Sequence, residues 1–106
     1  RVVEVQKPNI RIKVWDSGTV DGDVVTLFLN GKKILDKYRV NKSQLAIPVT
    51  LNDKNNFLIL HAEDLGSIPP NTIAVSVDDG SKEQRIVLSS DLKTSGAILV
   101  RQFKIE

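Results

Sequence analysis

What most constrains this chain is a two-residue alternation of apolar and polar side chains, cut at short intervals by turn residues. Ile10, Ile12 and Val14 alternate with Arg11, Lys13 and Trp15. Val25, Leu27 and Leu29 alternate with Val24, Thr26 and Phe28, and Ile73, Val75 and Val77 with Ala74 and Ser76. Ile98 and Val100 continue the pattern near the end. Successive side chains of an extended chain point to opposite faces, so this period describes half-buried strands. Val and Ile together number 23 of 106 residues, and their branched Cβ atoms favour a pleated surface. Apolar residues nowhere recur at helical spacing over ten positions. The polar stretch from Ser89 to Gly96 has room for one helical turn at most.

Turn residues divide these runs. Asp16-Ser17-Gly18 and Asp21-Gly22-Asp23 bracket the first connection. Asn30-Gly31 predicts a tight hairpin, because a type I′ turn needs φ > 0 at both central residues. Asn52 to Asn56 reads as a polar turn and Asp78-Asp79-Gly80 as another. Strands are expected near 2–7, 10–15, 23–30, 32–39, 44–51, 57–63, 72–78, 83–89 and 97–104. Eight or nine short strands at such spacing predict an all-β, two-sheet antiparallel sandwich, immunoglobulin-like in architecture, with a closed barrel as the alternative. Pro48 marks its strand as an edge or a bulge. Lys32, Lys33, Lys37 and Arg39 suit an edge guarded against pairing with other sheets. The chain reads as one domain, 1–106, with 1–7 as a lead-in strand from an upstream region, and no internal repeat is visible.

Composition excludes several classes of chemistry. The chain has no cysteine and one histidine, His61, which removes disulfides, thiolate nucleophiles and multi-histidine metal centres. Fifteen Lys and Arg stand against thirteen Asp and Glu, dispersed rather than striped with aromatics, so nucleic acid is not an expected partner. No run of about 18 apolar residues is present, so the chain is not expected to insert in a membrane. It begins at Arg1 with no apolar leader, which reads as a processed protein or a domain of a longer one.

Five sets of residues are singled out as candidates. Asp16, Asp21 and Asp23, separated by glycines, offer carboxylates for one hard cation, Ca²⁺, although their spacing is not that of an EF-hand. The competing role for these residues is turn capping by their carboxylates. Trp15 and Tyr38 are candidates for a platform on which a sugar ring stacks, Trp15 having the outward parity of Arg11 and Lys13. Gly66, Pro69, Pro70 and Asn71 belong to a rigid loop, read as a crossover between sheets. His61 shares the parity of Phe57 and Ile59, and lacks the strained nucleophile elbow a hydrolase would pair with it. Glycosidase chemistry would need two carboxyls facing across a cleft, drawn from Asp21, Asp23, Glu63, Asp64, Asp78 and Asp79. A chain this small has little room for one.

The ordered string Trp15-Asp16-Ser-Gly-Thr-Val-Asp21-Gly-Asp23, Leu27-Phe-Leu-Asn30-Gly31, His61-Ala-Glu-Asp-Leu-Gly-Ser-Ile-Pro-Pro-Asn-Thr72 and Asp79-Gly80 resembles a β-rich module of exported or lipid-anchored proteins of Gram-negative bacteria. The likeness spans about Val5 to Phe103. It implies an exported β-sandwich that is periplasmic, anchored at the outer membrane or extracellular, and it carries no catalytic residues to transfer. The expected function is therefore a non-catalytic structural or interaction module of the cell envelope, with no cofactor. Its partners would be neighbouring domains of a parent protein or an envelope component. The alternatives are a calcium-assisted carbohydrate- or peptidoglycan-binding module and, third, a small hydrolase.

Overall fold

Alternating apolar residues become strands throughout. The computed structural model describes residues 2–16, 23–64, 71–90 and 96–102. The first four strands are β1 (Val2–Val5), β2 (Asn9–Trp15), β3 (Val24–Leu29) and β4 (Lys32–Arg39). They are followed by β5 (Leu45–Thr50), β6 (Asn55–Asp64), β7 (Asn71–Asp78), β8 (Glu83–Ser90) and β9 (Gly96–Gln102). No helix occurs among the described residues, and none is long and apolar enough to cross a membrane.

The strands form a five-stranded sheet ordered β1-β9-β6-β3-β4 and a four-stranded sheet ordered β5-β2-β7-β8. All neighbours are antiparallel except β1 and β9, which run parallel. The expected two-sheet sandwich is the observed fold. Val25, Leu27, Leu58 and Leu60 from one sheet and Ile12, Val14, Val75 and Val77 from the other are fully buried in one core. Each such side chain contributes about 1.5–3 kcal/mol on leaving water.

Strand order carries a symmetry that the residues do not show. β2 pairs with β5 in the four-stranded sheet, while the hairpin β3–β4 between them lies in the other. β6 pairs with β9 in the five-stranded sheet, while the hairpin β7–β8 between them lies opposite. Exchanging β2 to β5 with β6 to β9, in order, turns β5-β2-β7-β8 into β9-β6-β3-β4. Each sheet maps onto the other, and among the described strands β1 alone has no counterpart.

The β3–β4 hairpin closes as predicted, with Asn30 at φ 54° and Gly31 at φ 81°. Pro48 sits on β5, an edge strand, as expected of a residue with no N–H to donate. The register of β3 against β4 shifts twice, between Val25 and Leu27 and between Leu27 and Phe28. These bulges turn consecutive residues Ile34 and Leu35 both toward the core, which strict alternation would forbid. At the first bulge Lys37 takes φ 46°, a left-handed conformation costly for a side chain with a Cβ. Lys37→Gly should relieve it, raising stability by about 0.5–1 kcal/mol and the melting temperature by roughly 4 °C. Thermal unfolding of the exposed-site variant reads this directly, and a lower melting temperature would place the bulge's cost elsewhere.

Candidate functional site

Trp15 ends β2 on the outer face of the four-stranded sheet, in register with Ala74. It is buried nonetheless, at 8% exposure, with the Arg85 guanidinium 5.6 Å from its ring centroid. The parity expected for Trp15 is that of the outer face, but the solvent-facing indole expected from it is not found, because parity says nothing about a neighbour's side chain lying over the ring. Tyr38 belongs to the other sheet, packs against the core, and takes a hydrogen bond at its hydroxyl from Asn41 Nδ2 at 3.4 Å. The two aromatics therefore stand on different sheets rather than side by side.

Asp16 and Asp23 are both buried. The Asp16 N–H donates to the Asn41 carbonyl at 2.8 Å, and the Asp23 carbonyl accepts from the Val40 N–H at 2.9 Å. These bonds bring the ends of β2 and β3 together on the 40–41 segment. Asp21, Gly66, Pro69 and Pro70 lie outside the described residues, and Asn71 is the first residue of β7. Among the described residues no three Asp, Glu or His side chains gather as a metal-binding group.

His61 lies opposite Thr26 on the outer face of the five-stranded sheet. The Thr26 hydroxyl donates to Glu63 Oε1 at 2.8 Å and accepts the Lys37 N–H at 3.1 Å. Its one proton is thus committed to a carboxylate, and the hydroxyl braces the bulge. On the opposite sheet Lys13 Nζ bonds Glu83 Oε1 at 2.6 Å and lies 3.5 Å from Asp78 Oδ2. The Glu83 hydrogen bond raises the Lys13 ammonium above its usual range, and the same bond holds Glu83 below its own. A shallow cleft of about 540 Å³ beside this pair is lined by Arg11, Pro48, Thr50 and Asp78 to Gly80.

The outer face of the five-stranded sheet is where apolar surface accumulates. Val2, Leu99 and Phe57 stand in one cross-strand row, Ala97, Ile59 and Phe28 in the next. Phe57 is 54% exposed, Val2 51% and Ile59 37%, while the alternating residues Leu58 and Leu60 are fully buried. The same period that builds the core thus builds a second apolar face, pointing outward. One edge is marked by an exposed ion pair, Arg101 Nη2 to Glu4 Oε1 at 2.9 Å.

Two groups that matter structurally escaped the sequence patterns. Asn56, expected in a polar turn, is fully buried in β6 and bonded on every side. Asp79, expected as a turn residue, is buried and accepts three backbone N–H groups. No family model, curated protein or solved structure matches the chain. What the described residues define on their own is a β-sandwich of nine strands with an apolar outer face on its five-stranded sheet.

Proposed function

We propose that this domain is a non-catalytic interaction module of an exported or cell-envelope protein, holding a folded partner domain against the outer face of its five-stranded sheet. The observation that carries this is the exposure of Phe57, Val2 and Ile59 in two adjoining rows. Contiguous apolar surface on a soluble face marks an interaction site, whereas scattered apolar residues do not. The occupant is a protein surface, because a sheet face bearing Phe28, Phe57, Ile59, Leu99 and Val2 in two adjoining rows offers apolar contact and few hydrogen bonds. A sugar would need many. The Glu4–Arg101 pair at the margin matches the polar rim of such interfaces.

A photo-crosslinking amino acid placed at Phe57 in the intact parent protein tests this in its native cells. The control position is Val87, 50% exposed on the opposite sheet. Adducts to one neighbouring domain or one envelope protein are expected from position 57 and not from 87. Equal adducts from both, or none from 57, would overturn the proposal. The calcium-assisted glycan module makes a different prediction. On the interaction reading, excess Ca²⁺ leaves the melting temperature unchanged. A rise of about 10 °C, abolished by Asp21→Asn, would favour the glycan module, since ligand at 100 times its Kd adds about 2.7 kcal/mol.

A further inference from the structure

The two equivalent halves, β2 to β5 and β6 to β9, account for both sheets without β1. What β1 adds is a direct link between the first and the last of the described strands. Its residues Val2 to Val5 run parallel to Leu99 to Gln102 of β9, in unbroken register. This is the one parallel pairing among the described strands. Parallelism fixes how the pair meets a pull along the chain. The chain enters β1 at Val2 and leaves β9 at Gln102, and these points lie at opposite ends of the pair. Tension between them draws β1 and β9 past each other along their common axis. Ladder hydrogen bonds run across that axis, so they share the load and must yield together. An antiparallel pair of first and last strands would be pulled from one end and would open bond by bond.

Both strands are fastened against such sliding. Val3 and Val5 point inward at 2% and 1% exposure, so β1 cannot slip without dragging both across the core. A slip of one residue would turn them outward and bring Val2 and Glu4 inward. Glu4 and Arg101, partners in register, are joined through their side chains at 2.9 Å. Gln84 Nε2 donates to the Glu4 carbonyl at 2.8 Å and the Gln6 N–H to Asp79 Oδ2 at 2.9 Å, tying β1 to the opposite sheet. β9 is held on its other side by Asn55 to Leu60 of β6, and Asn56 Nδ2 donates to the Val100 carbonyl at 3.2 Å. We infer that the domain is a load-bearing link, in which the β1–β9 pair is a shear clamp for tension applied between its N-terminal and C-terminal sides. Resistance of this kind depends on the unfolding barrier along the direction of pull, not on equilibrium stability. The inference goes beyond the outer-face proposal, since it concerns what crosses the domain lengthwise and needs no partner on that face.

Single-molecule pulling of the whole chain tests this, with one handle always joined to the C-terminus. The other handle is joined either to the N-terminus or to a cysteine introduced just past β1 by Lys7→Cys, the chain having none of its own. Lys7 is exposed, so this change leaves the core intact. Position 7 and the end of β9 lie at the same end of the clamp, so the second geometry peels it open. At one loading rate the N-terminal geometry should need about twofold or more the force of the Lys7 geometry. Val3→Ala and Val77→Ala each truncate a buried valine, one in the clamp and one in β7. Both should lose similar stability in denaturant, yet only Val3→Ala should lower the unfolding force in the N-terminal geometry. Equal forces in the two geometries would overturn the inference. So would a Val3→Ala force equal to that of the wild type, or a fall as large in Val77→Ala.

Discussion

Asn56→Leu lowers stability by about 3–5 kcal/mol, the largest loss expected from any polar substitution in this fold. The change nearly conserves shape, so it removes hydrogen bonds without opening a large cavity. Asn56 Nδ2 donates to the carbonyls of Lys54 at 3.1 Å and Val100 at 3.2 Å, with a longer contact to Asn52 O at 3.4 Å. Its Oδ1 accepts from the Asn52 N–H at 3.0 Å and from Asn30 Nδ2 at 2.9 Å. One amide thus joins the β3–β4 turn, the β5–β6 connection and β9. Each bond contributes about 1 kcal/mol net, and a buried group left without its partner costs about 1–3 kcal/mol. Groups near the exposed turn regain water, which keeps the sum below the upper limit of that count. Against a usual domain stability of 5–15 kcal/mol the loss is severe, and the melting temperature should fall by roughly 12 °C or more.

The network makes a further demand that a simple packing loss would not. Asn30 Oδ1 accepts the Phe57 N–H at 2.8 Å, so both amides act as one unit. Asn30→Gly retains the φ of 54° that the turn requires while deleting the amide. The double variant Asn30→Gly/Asn56→Leu should lose less than the sum of the singles, by about 1 kcal/mol or more. Strict additivity, or a loss under 1 kcal/mol for Asn56→Leu alone, would show that the turn and β9 do not depend on this amide.

The fold was legible in the sequence because its signals are local. Alternation at Ile10 to Trp15 and at Ile73 to Val77, with Asn30-Gly31 between strands, needs only neighbours to interpret. Every strand was therefore expected within a few residues of where it lies. The observations that argue for function depend on pairing between distant strands. Phe57, Phe28, Leu99 and Val2 become one surface only once β6, β3, β9 and β1 are aligned. Periodicity predicts that Phe57 and Ile59 face outward, but not that their neighbours are apolar too. Asn56 was assigned to a turn because a run of Asn and Asp is normally solvated, and no local pattern tells the buried one from its exposed neighbours. The bulges at Lys37 and Ile34 likewise interrupt a run that reads as continuous.

The second large effect is expected at Asp79, and it depends on pH. Burial by itself would push this carboxyl up, yet backbone N–H groups of Gln6, Lys82 and Ser81, helped by the Lys82 charge, hold it below its ordinary value. Gln6 donates to Oδ2 at 2.9 Å, while Ser81 and Lys82 donate to Oδ1 at 2.8 and 2.9 Å. The carboxylate thereby fastens the end of β1 to the β7–β8 turn. A carboxyl whose pKa is lower folded than unfolded contributes stability at pH values above the unfolded value, and that stability disappears as pH falls through the folded one. Asp79→Asn should therefore lower stability by about 2–4 kcal/mol at pH 7, since an amide cannot accept on both sides without turning its NH₂ toward a donor. The gap between wild type and variant should begin to narrow as pH drops below about 4, where the unfolded chain's carboxyl takes up its proton, and should go on narrowing until the folded carboxyl, held below its ordinary value, is protonated too. Glu83, held down by Lys13, titrates alike in both proteins, so the difference isolates Asp79. Parallel stability curves across that range would show that the charge is not what matters. The loss should also be uneven in space. With Gln6 released, amides of β1 and of its partner residues Leu99 to Gln102 should exchange faster, while those of β2 and β7 follow global unfolding. Such local opening would uncover the part of the core beside β9 that Val3 and Val5 close.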